Sequence, residues 1–335
     1  MRSAHKNKRQ ARYTPGGGPW VVDRPAVAVS GSLAWLLQAW LDALASLNYS
    51  PRTVHGRLAM GLQFCDWCDE RAIVQAAQVT RPLIERYRLH LSQIRGKNNL
   101  PLSVNYQIQR LSAVQYLFSW AVRQNLIGAN PAADVDRPRP VRALPDHLSR
   151  DEVAAVLAQP DTETALGLRD RAILELLYST GIRRSEAVKL TLHDRDAQRR
   201  VLRIVQGKGM KDRYVPIGKR ALLWLSRYEE RSRAQLATPG TLALFVTADG
   251  GPFQPDPFGN LVRKLLQAAG VHKSGACHLF RHTMATDLLE GGCDVRLVQE
   301  MLGHAKLDTT AIYTHVGIEH LKAAHAAHHP AENAD

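Results

Sequence analysis

Only four cysteines occur in 335 residues, too few for a disulfide framework in a chain of this length, and a reducing cytoplasm is the expected setting. Aromatic residues make up just 6%, so a core has to be built from the aliphatic residues that dominate the 45% hydrophobic fraction. No apolar run approaches the roughly 18 residues that a bilayer crossing requires, which excludes a transmembrane protein. The basic start, Met1-Arg2-Ser3-Ala4-His5-Lys6, is not followed by an apolar segment and a small-residue cleavage site, so secretion is not expected. No Gly-x-x-x-x-Gly-Lys-Ser/Thr phosphate loop is present, which argues against nucleotide-driven chemistry. Acids are also in short supply. Against 31 Asp and Glu stand 44 Lys and Arg, a formal charge of +13, and a polyanion is the first partner to expect.

The chain reads as two folded domains with basic connecting segments. Residues 1–30 form an arm in which Arg2, Lys6, Lys8, Arg9, Arg12 and Arg24 face the single acid Asp23 and surround Gly16-Gly17-Gly18-Pro19. Residues 31–129 carry helical periodicity. Leu33, Leu36, Leu37, Trp40, Leu41 and Leu44 mark a first helix, and Ser50-Pro51 caps a second through Val54, Leu58, Leu62 and Cys65. Thr80 and Pro82 open a third, and Ser103 a fourth. Prolines 131, 138, 140 and 145, interleaved with Arg137, Arg139 and Arg142, make residues 130–146 a stiff basic linker. Ser149-Arg150-Asp151-Glu152 is a capping box that begins a second domain over 147–330. Within it the spacing predicts a helix over 168–179, a β-hairpin of 201–205 and 213–217, helices over 219–233 and 257–269, and closing helices over 278–289, 294–302 and 307–314. Residues 331–335 remain as a tail.

Four short segments concentrate side chains suited to phosphoryl chemistry: Thr180-Gly181-Ile182-Arg183-Arg184-Ser185-Glu186, Gly207-Lys208-Gly209, His278-Leu279-Phe280-Arg281-His282, and Leu302-Gly303-His304 with Tyr313 nine residues on. Taken singly, each has an ordinary explanation. A lone arginine is commonly a surface charge, a hairpin lysine is commonly solvated, a tyrosine commonly belongs to a core, and His278, Arg281 and His282 share one helix face. In this order and spacing, however, they resemble the catalytic set of the tyrosine recombinase, or phage integrase, family. The stretches Leu176-Leu177-Tyr178-Ser179-Thr180-Gly181, Gly207 through Arg213, and His304 through Val316 are most similar to its Xer branch. The likeness extends from about residue 31 to about residue 330.

The resemblance implies a fold: an all-α, SAM-like core-binding domain of four helices, then a mainly α catalytic domain with a small antiparallel β-sheet, the two forming a C-shaped clamp on duplex DNA. It also implies site-specific recombination through a 3′-phosphotyrosyl intermediate, with Tyr313 as nucleophile. The chemistry of the other residues suits that reaction. Arg183 and Arg281 can fork onto non-bridging phosphate oxygens and stay charged, and His304 can add a further hydrogen bond. Lys208 can protonate the departing 5′-oxygen. His278 is implied as the acceptor of the phenol proton or as a positioning group. One phosphodiester is exchanged for another, so neither metal nor ATP is expected as a cofactor.

Some alternatives stay open in the sequence. Arg184 adjoins Arg183, although the Gly-apolar-Arg-x-Ser-Glu frame selects Arg183 and makes Glu186 its structural partner. Tyr178 and Tyr214 are other phenols near the motifs, but neither follows a Gly-His pair as Tyr313 does. Cys65-Asp66-Trp67-Cys68 lies inside a helix with no second pair and is not expected to bind zinc. His320, His325, His328 and His329 could hold nickel or zinc fortuitously, but the resemblance instead implies a C-terminal helix that packs on a neighbouring protomer through Ile318, Leu321 and Ala324. The expected partners are double-stranded DNA and further copies of the chain, a tetramer on synapsed sites, with a partner recombinase or accessory protein left open. No membrane is involved, and the expected location is the cytoplasm, at the nucleoid. Two rival readings are a type IB topoisomerase-like relaxation of DNA and a non-catalytic, sequence-specific DNA-binding regulator. The intact residue set argues against the second.

Overall fold

The computed structural model describes residues 20–96, 99–139, 146–205, 212–303 and 318–330. It divides into two compact units, Met1–Ala143 and Leu144–Asp335.

The first unit is helical: α1 (Leu33–Ser46), α2 (Pro51–Asp69), α3 (Arg81–Gln93) and α4 (Val104–Arg123). Serine caps set three of the starts, with the hydroxyls of Ser32, Ser50 and Ser103 accepting from the backbone N–H of Trp35, Thr53 and Tyr106. Proline enters α2 and α3 in the first turn, where its missing N–H costs no helical bond. The apolar stripe of α1 is buried as its spacing requires, against Val54, Leu58 and Phe64 of α2 and Leu111, Val114 and Phe118 of α4. An aromatic group anchors this core. Phe64 meets Tyr87 edge-on at 4.9 Å and Phe118 at 6.2 Å, and Trp67 lies 5.1 Å from Tyr87. Cys65 and Cys68 are buried in the same core, and burial pushes both thiols up to about 12.

Both ends of this unit extend into stretches whose composition reads as arm and linker. Val22 is buried, the Gln38 amide donates to the Trp20 carbonyl at 2.6 Å, and Arg24 pairs with Asp66 and Asp69. Ala132 and Val135 are buried, and the Gln115 amide donates to both of their carbonyls. Isolated apolar residues in a polar stretch leave no periodicity, so only their docking reveals them.

The second unit contains α5 (Arg150–Leu157), α6 (Ala165–Thr180), α7 (Arg184–Ala187), β1 (Arg195–Asp196), β2 (Val201–Ile204), β3 (Arg213–Pro216), α8 (Lys219–Tyr228), α9 (Ala234–Leu236), α10 (Pro255–Ala268), α11 (Cys277–Glu290), α12 (Val295–Leu302) and α13 (Ile318–His328). The capping box of α5 is complete, with Ser149 and Glu152 bonded reciprocally. A π-turn over Glu229–Arg233 joins α8 to α9. Helix α6 is the axis of the unit. Every residue from Ala172 to Thr180 is buried, the polar ones with partners: Glu175 pairs with Arg171 and Arg220, Ser179 accepts from the Gly218 backbone, and Thr180 donates to the Leu176 carbonyl; α8 packs along the helix.

The sheet is antiparallel in the order β1-β2-β3. The expected hairpin supplies β2 and β3, paired as Leu202↔Val215 and Ile204↔Arg213. Strand β1 is an addition: two polar residues give no alternating pattern and are recruited by pairing with β2. Two-residue strands and the four-residue α7 lie below the length at which periodicity speaks. The helix expected over 307–314 falls outside the described residues.

The C-terminal helix α13 packs within the second unit. Ala324 packs on the cluster of Met284, Leu288, Cys293, Val298, Met301 and Leu302. His325 and His329 are buried, their rings stacked at 4.7 Å and 11°. Their Nε2 atoms bond the Ser179 carbonyl at 2.8 Å and the Tyr178 carbonyl at 3.0 Å. A carbonyl only accepts, so each Nε2 donates, and together they satisfy two end-of-helix carbonyls of α6. These two histidines are therefore packing residues and not exposed metal ligands.

Candidate active site

Three arginines distant in sequence meet at the turn that ends α12. Helix α6 stops at Gly181, whose left-handed backbone (φ 56°) turns the chain toward Ile182 and Arg183. Ile182 is buried and fixes the turn, leaving Arg183 at the N-cap of α7. The Arg183 guanidinium donates to Glu186 Oε1 at 2.8 Å and to the Gly303 carbonyl at 2.8 Å. Arg281, on the α11 face turned to the interior, donates to the Gly181 carbonyl at 2.7 Å and to the Leu302 carbonyl at 2.6 Å. Arg183 and Arg281 thus grip adjacent carbonyls, 302 and 303, immediately before His304. Among the described residues these two bonds engage two of the five N–H donors on Arg281.

The third arginine, Arg213 at the start of β3, is not marked by spacing as a site residue. It forks onto both oxygens of Glu186, at 3.0 and 2.9 Å, and its Nε donates to the Met301 carbonyl at 3.3 Å. The only hint in the sequence is its place at the end of the Gly207–Arg213 stretch. Gly303 makes the approach possible: its φ is 62°, and an added Cβ would lie 3.0 Å from the Arg213 guanidinium.

Charge at this cluster is dominated by the cations. Burial by itself would raise the Glu186 carboxyl, but hydrogen bonds from Arg213 and from the Arg183 backbone hold it down at about 2. Burial and the neighbouring Arg183 charge lower Arg281 to about 10, still far enough above neutrality to keep it a cation. His278 sits one turn before Arg281 in α11, with an exposed side chain. Partial desolvation, then the charges of Arg281, His282, Arg184 and Arg183, lower its pKa. An imidazole kept neutral in this way can accept a proton.

The neighbours that competed in sequence are placed elsewhere. Arg184 turns to Asp256 at 3.1 Å and lies over Gly259 of α10. Tyr178 is buried and donates to Asp287 at 2.9 Å, and burial followed by the Asp287 charge raises its pKa strongly, the reverse of what a nucleophilic phenol needs. Tyr214 is exposed on β3. Lys208, His304 and Tyr313 lie outside the described residues.

A cationic cluster of fixed guanidiniums beside a neutral histidine suits a phosphodiester anion, and similarity to known proteins points the same way. Residues 146–320 match the phage integrase family. Tyrosine recombinase XerC 2 of Ralstonia nicotianae is 49% identical over 300 residues, covering 88% of this chain and 85% of that protein. Tyrosine recombinase XerD of Corynebacterium glutamicum is 37% identical, covering 88% of this chain and 98% of that one. Among solved structures, a lambda integrase tetramer bound to a Holliday junction shares the fold with a TM-score of 0.64 at 16% identity, covering 84% of this chain and 77% of that one. The XerH site-specific recombinase bound to its palindromic difH substrate has a TM-score of 0.63 at 22% identity, covering 86% and 84%. Family match and identity together settle the class: the chain belongs to the phage integrase family and is an Xer-like, tyrosine-type site-specific recombinase, a DNA breaking and rejoining enzyme.

Proposed function

We propose that the chain cuts and reseals duplex DNA through Tyr313, with Arg183, Arg281 and His304 neutralising the phosphate, Lys208 as general acid and His278 as acceptor of the phenol proton. The observation that carries this reading is the convergence of Arg183 and Arg281 on the carbonyls of residues 302 and 303. That juxtaposition sets two planar cations beside the chain position of His304, nine residues before Tyr313. In the reaction the Tyr313 oxygen attacks phosphorus, the P–O5′ bond breaks, the phenol proton passes to His278, and Lys208 gives a proton to the 5′-oxygen. The products are a 3′-phosphotyrosyl bond and a 5′-hydroxyl. The reverse attack by another 5′-hydroxyl completes strand exchange without an external energy source.

In this reading residues 31–129 form the core-binding domain, residues 147–330 the catalytic domain, and the basic segments 1–30 and 130–146 supply phosphate contacts. The working assembly is a tetramer on two synapsed sites, through a Holliday junction like the one in the lambda integrase structure. The likeness to XerC and XerD proteins favours resolution of circular DNA dimers at the nucleoid, with a second recombinase as the natural partner.

The test is detergent trapping of a covalent adduct on nicked DNA from the gene's own neighbourhood. Wild type is expected to leave protein on the 3′ side of one defined break, Tyr313→Phe to bind equally and leave none, and Lys208→Ala to cleave at least about 100-fold more slowly. An adduct of wild-type yield from Tyr313→Phe would overturn the nucleophile, and a Lys208→Ala rate near wild type would overturn the general acid.

A further inference from the structure

Glu186 poses an electrostatic problem for the reading above, on which this inference rests. A buried carboxylate that bonds Arg183 through both its backbone N–H and its guanidinium, each at 2.8 Å, is well placed to orient that arginine. The same carboxylate would also cancel Arg183's charge, and a neutral ion pair offers little to a phosphate. Arg213 resolves the conflict, because its fork occupies both Glu186 oxygens. Two guanidiniums then share one carboxylate, and the trio keeps a net charge of +1.

We propose that Arg213 is a positioning residue for strand cleavage: it serves as the counter-ion of Glu186, so that Arg183 is oriented by that carboxylate without being neutralised by it. The placement of Arg213 supports the role. Its side chain is 15% exposed, little more than a buried one, whereas Arg183 beside it is 17% exposed and Glu186 only 4%. Its third bond, to the Met301 carbonyl, adds it to the set of arginines gripping successive carbonyls at the end of α12. Backbone pairing with Ile204 fixes the base of the side chain in the sheet, so the guanidinium is delivered by a rigid element. Without Arg213, Glu186 would close on Arg183 as a simple pair, leaving Arg281 to meet the anion nearly alone.

The idea makes a charge-specific prediction that a purely structural salt bridge does not. Arg213→Gln is expected to slow adduct formation on nicked DNA by about 100-fold, the scale of a misplaced catalytic group, while DNA affinity changes by no more than about threefold. Removing the carboxylate as well, in the double variant Arg213→Gln with Glu186→Gln, is expected to recover about tenfold of that loss, since Arg183 regains its charge. On a DNA carrying a neutral methylphosphonate at the scissile position, Arg213→Gln is expected to fall by less than about tenfold, because there is less charge to offset. Arg213→Lys, which keeps the cation but not the fork, should lie between wild type and Arg213→Gln, and thermal melts of all variants report folding. A double variant no faster than Arg213→Gln, or an equal loss on both DNAs, overturns the inference while leaving the active site intact. Absence of any Tyr313-dependent adduct from wild type overturns the site reading and this inference with it.

Discussion

At the scale of single residues, adjacent arginines have been given opposite tasks by one turn of backbone. Arg183 at the N-cap of α7 points to the carbonyl of Gly303, while Arg184, the first helical residue, points away to Asp256. Asp256 is 83% exposed, and an ion pair so open to water contributes only about 0–1 kcal/mol. Arg184→Ala is therefore expected to cleave within about threefold of wild type, whereas Arg183→Ala should lose about 100-fold or more, as when one preorganised donor to a reacting oxyanion is removed. Rates measured on nicked DNA check both, and equal losses would mean that the frame around Gly181 selects the wrong arginine. The motif made Arg183 and Arg281 legible in the sequence, since their types and intervals are unusual together. Arg213 was not, because an arginine opening a β-strand has no periodic signature and its role depends on a carboxylate that only folding brings near.

At the scale of elements, α13 is held by a device whose strength depends on pH. Burial first, then the proximity of His325 and of the Arg220 charge, lower the His329 pKa to about 3, despite the bond to the Tyr178 carbonyl that favours the cation. An unfolded histidine titrates near 6.5, so between these values the undocked chain binds more protons than the docked one. The docking energy is then complete above pH 6.5 and declines as pH falls toward 3. At pH 5 the loss is about 2 kcal/mol relative to pH 7.5. Protection of the amides of residues 318–330, their exchange rate set against the intrinsic rate at the same pH, is expected to fall about 30-fold between pH 7.5 and pH 5, and His329→Leu, which cannot take up the proton, should flatten that dependence. Protection that is equal at both pH values would contradict the buried neutral His329. Glu186 behaves in the opposite sense. Its carboxyl is depressed from 4.5 to about 2, so its contribution is full above pH 4.5 and is lost only as pH approaches 2. The arginine cluster should outlast the C-terminal helix on acidification.

On the scale of the whole molecule, charge and topology act separately. The +13 balance makes DNA affinity largely a matter of counterion release, so log Kd should rise linearly with log salt. If six or more phosphates are contacted, affinity falls at least about 10³-fold between 50 and 200 mM salt, measurable by titration of labelled duplex. A flat salt response would remove the electrostatic basis for the proposed arm and linker contacts. The elements were largely determined by sequence alone. Serine caps and prolines set the helix starts, i, i+3, i+4 apolar spacing set the faces, and β-branched runs around a glycine-rich turn set the hairpin, because these are local properties of the backbone and its nearest neighbours. The sequence also carried the chemical class, since the order and spacing of its arginine, histidine and tyrosine motifs resemble those of one family, to which the family match assigns the chain. Tertiary structure alone decided which guanidinium meets which carboxylate, that Val22, Ala132 and Val135 complete the first core, that β1 exists, and that α13 returns to cap α6. Each of those is a contact between residues far apart in the chain, whose free energy comes from desolvation and paired geometry that no local pattern records.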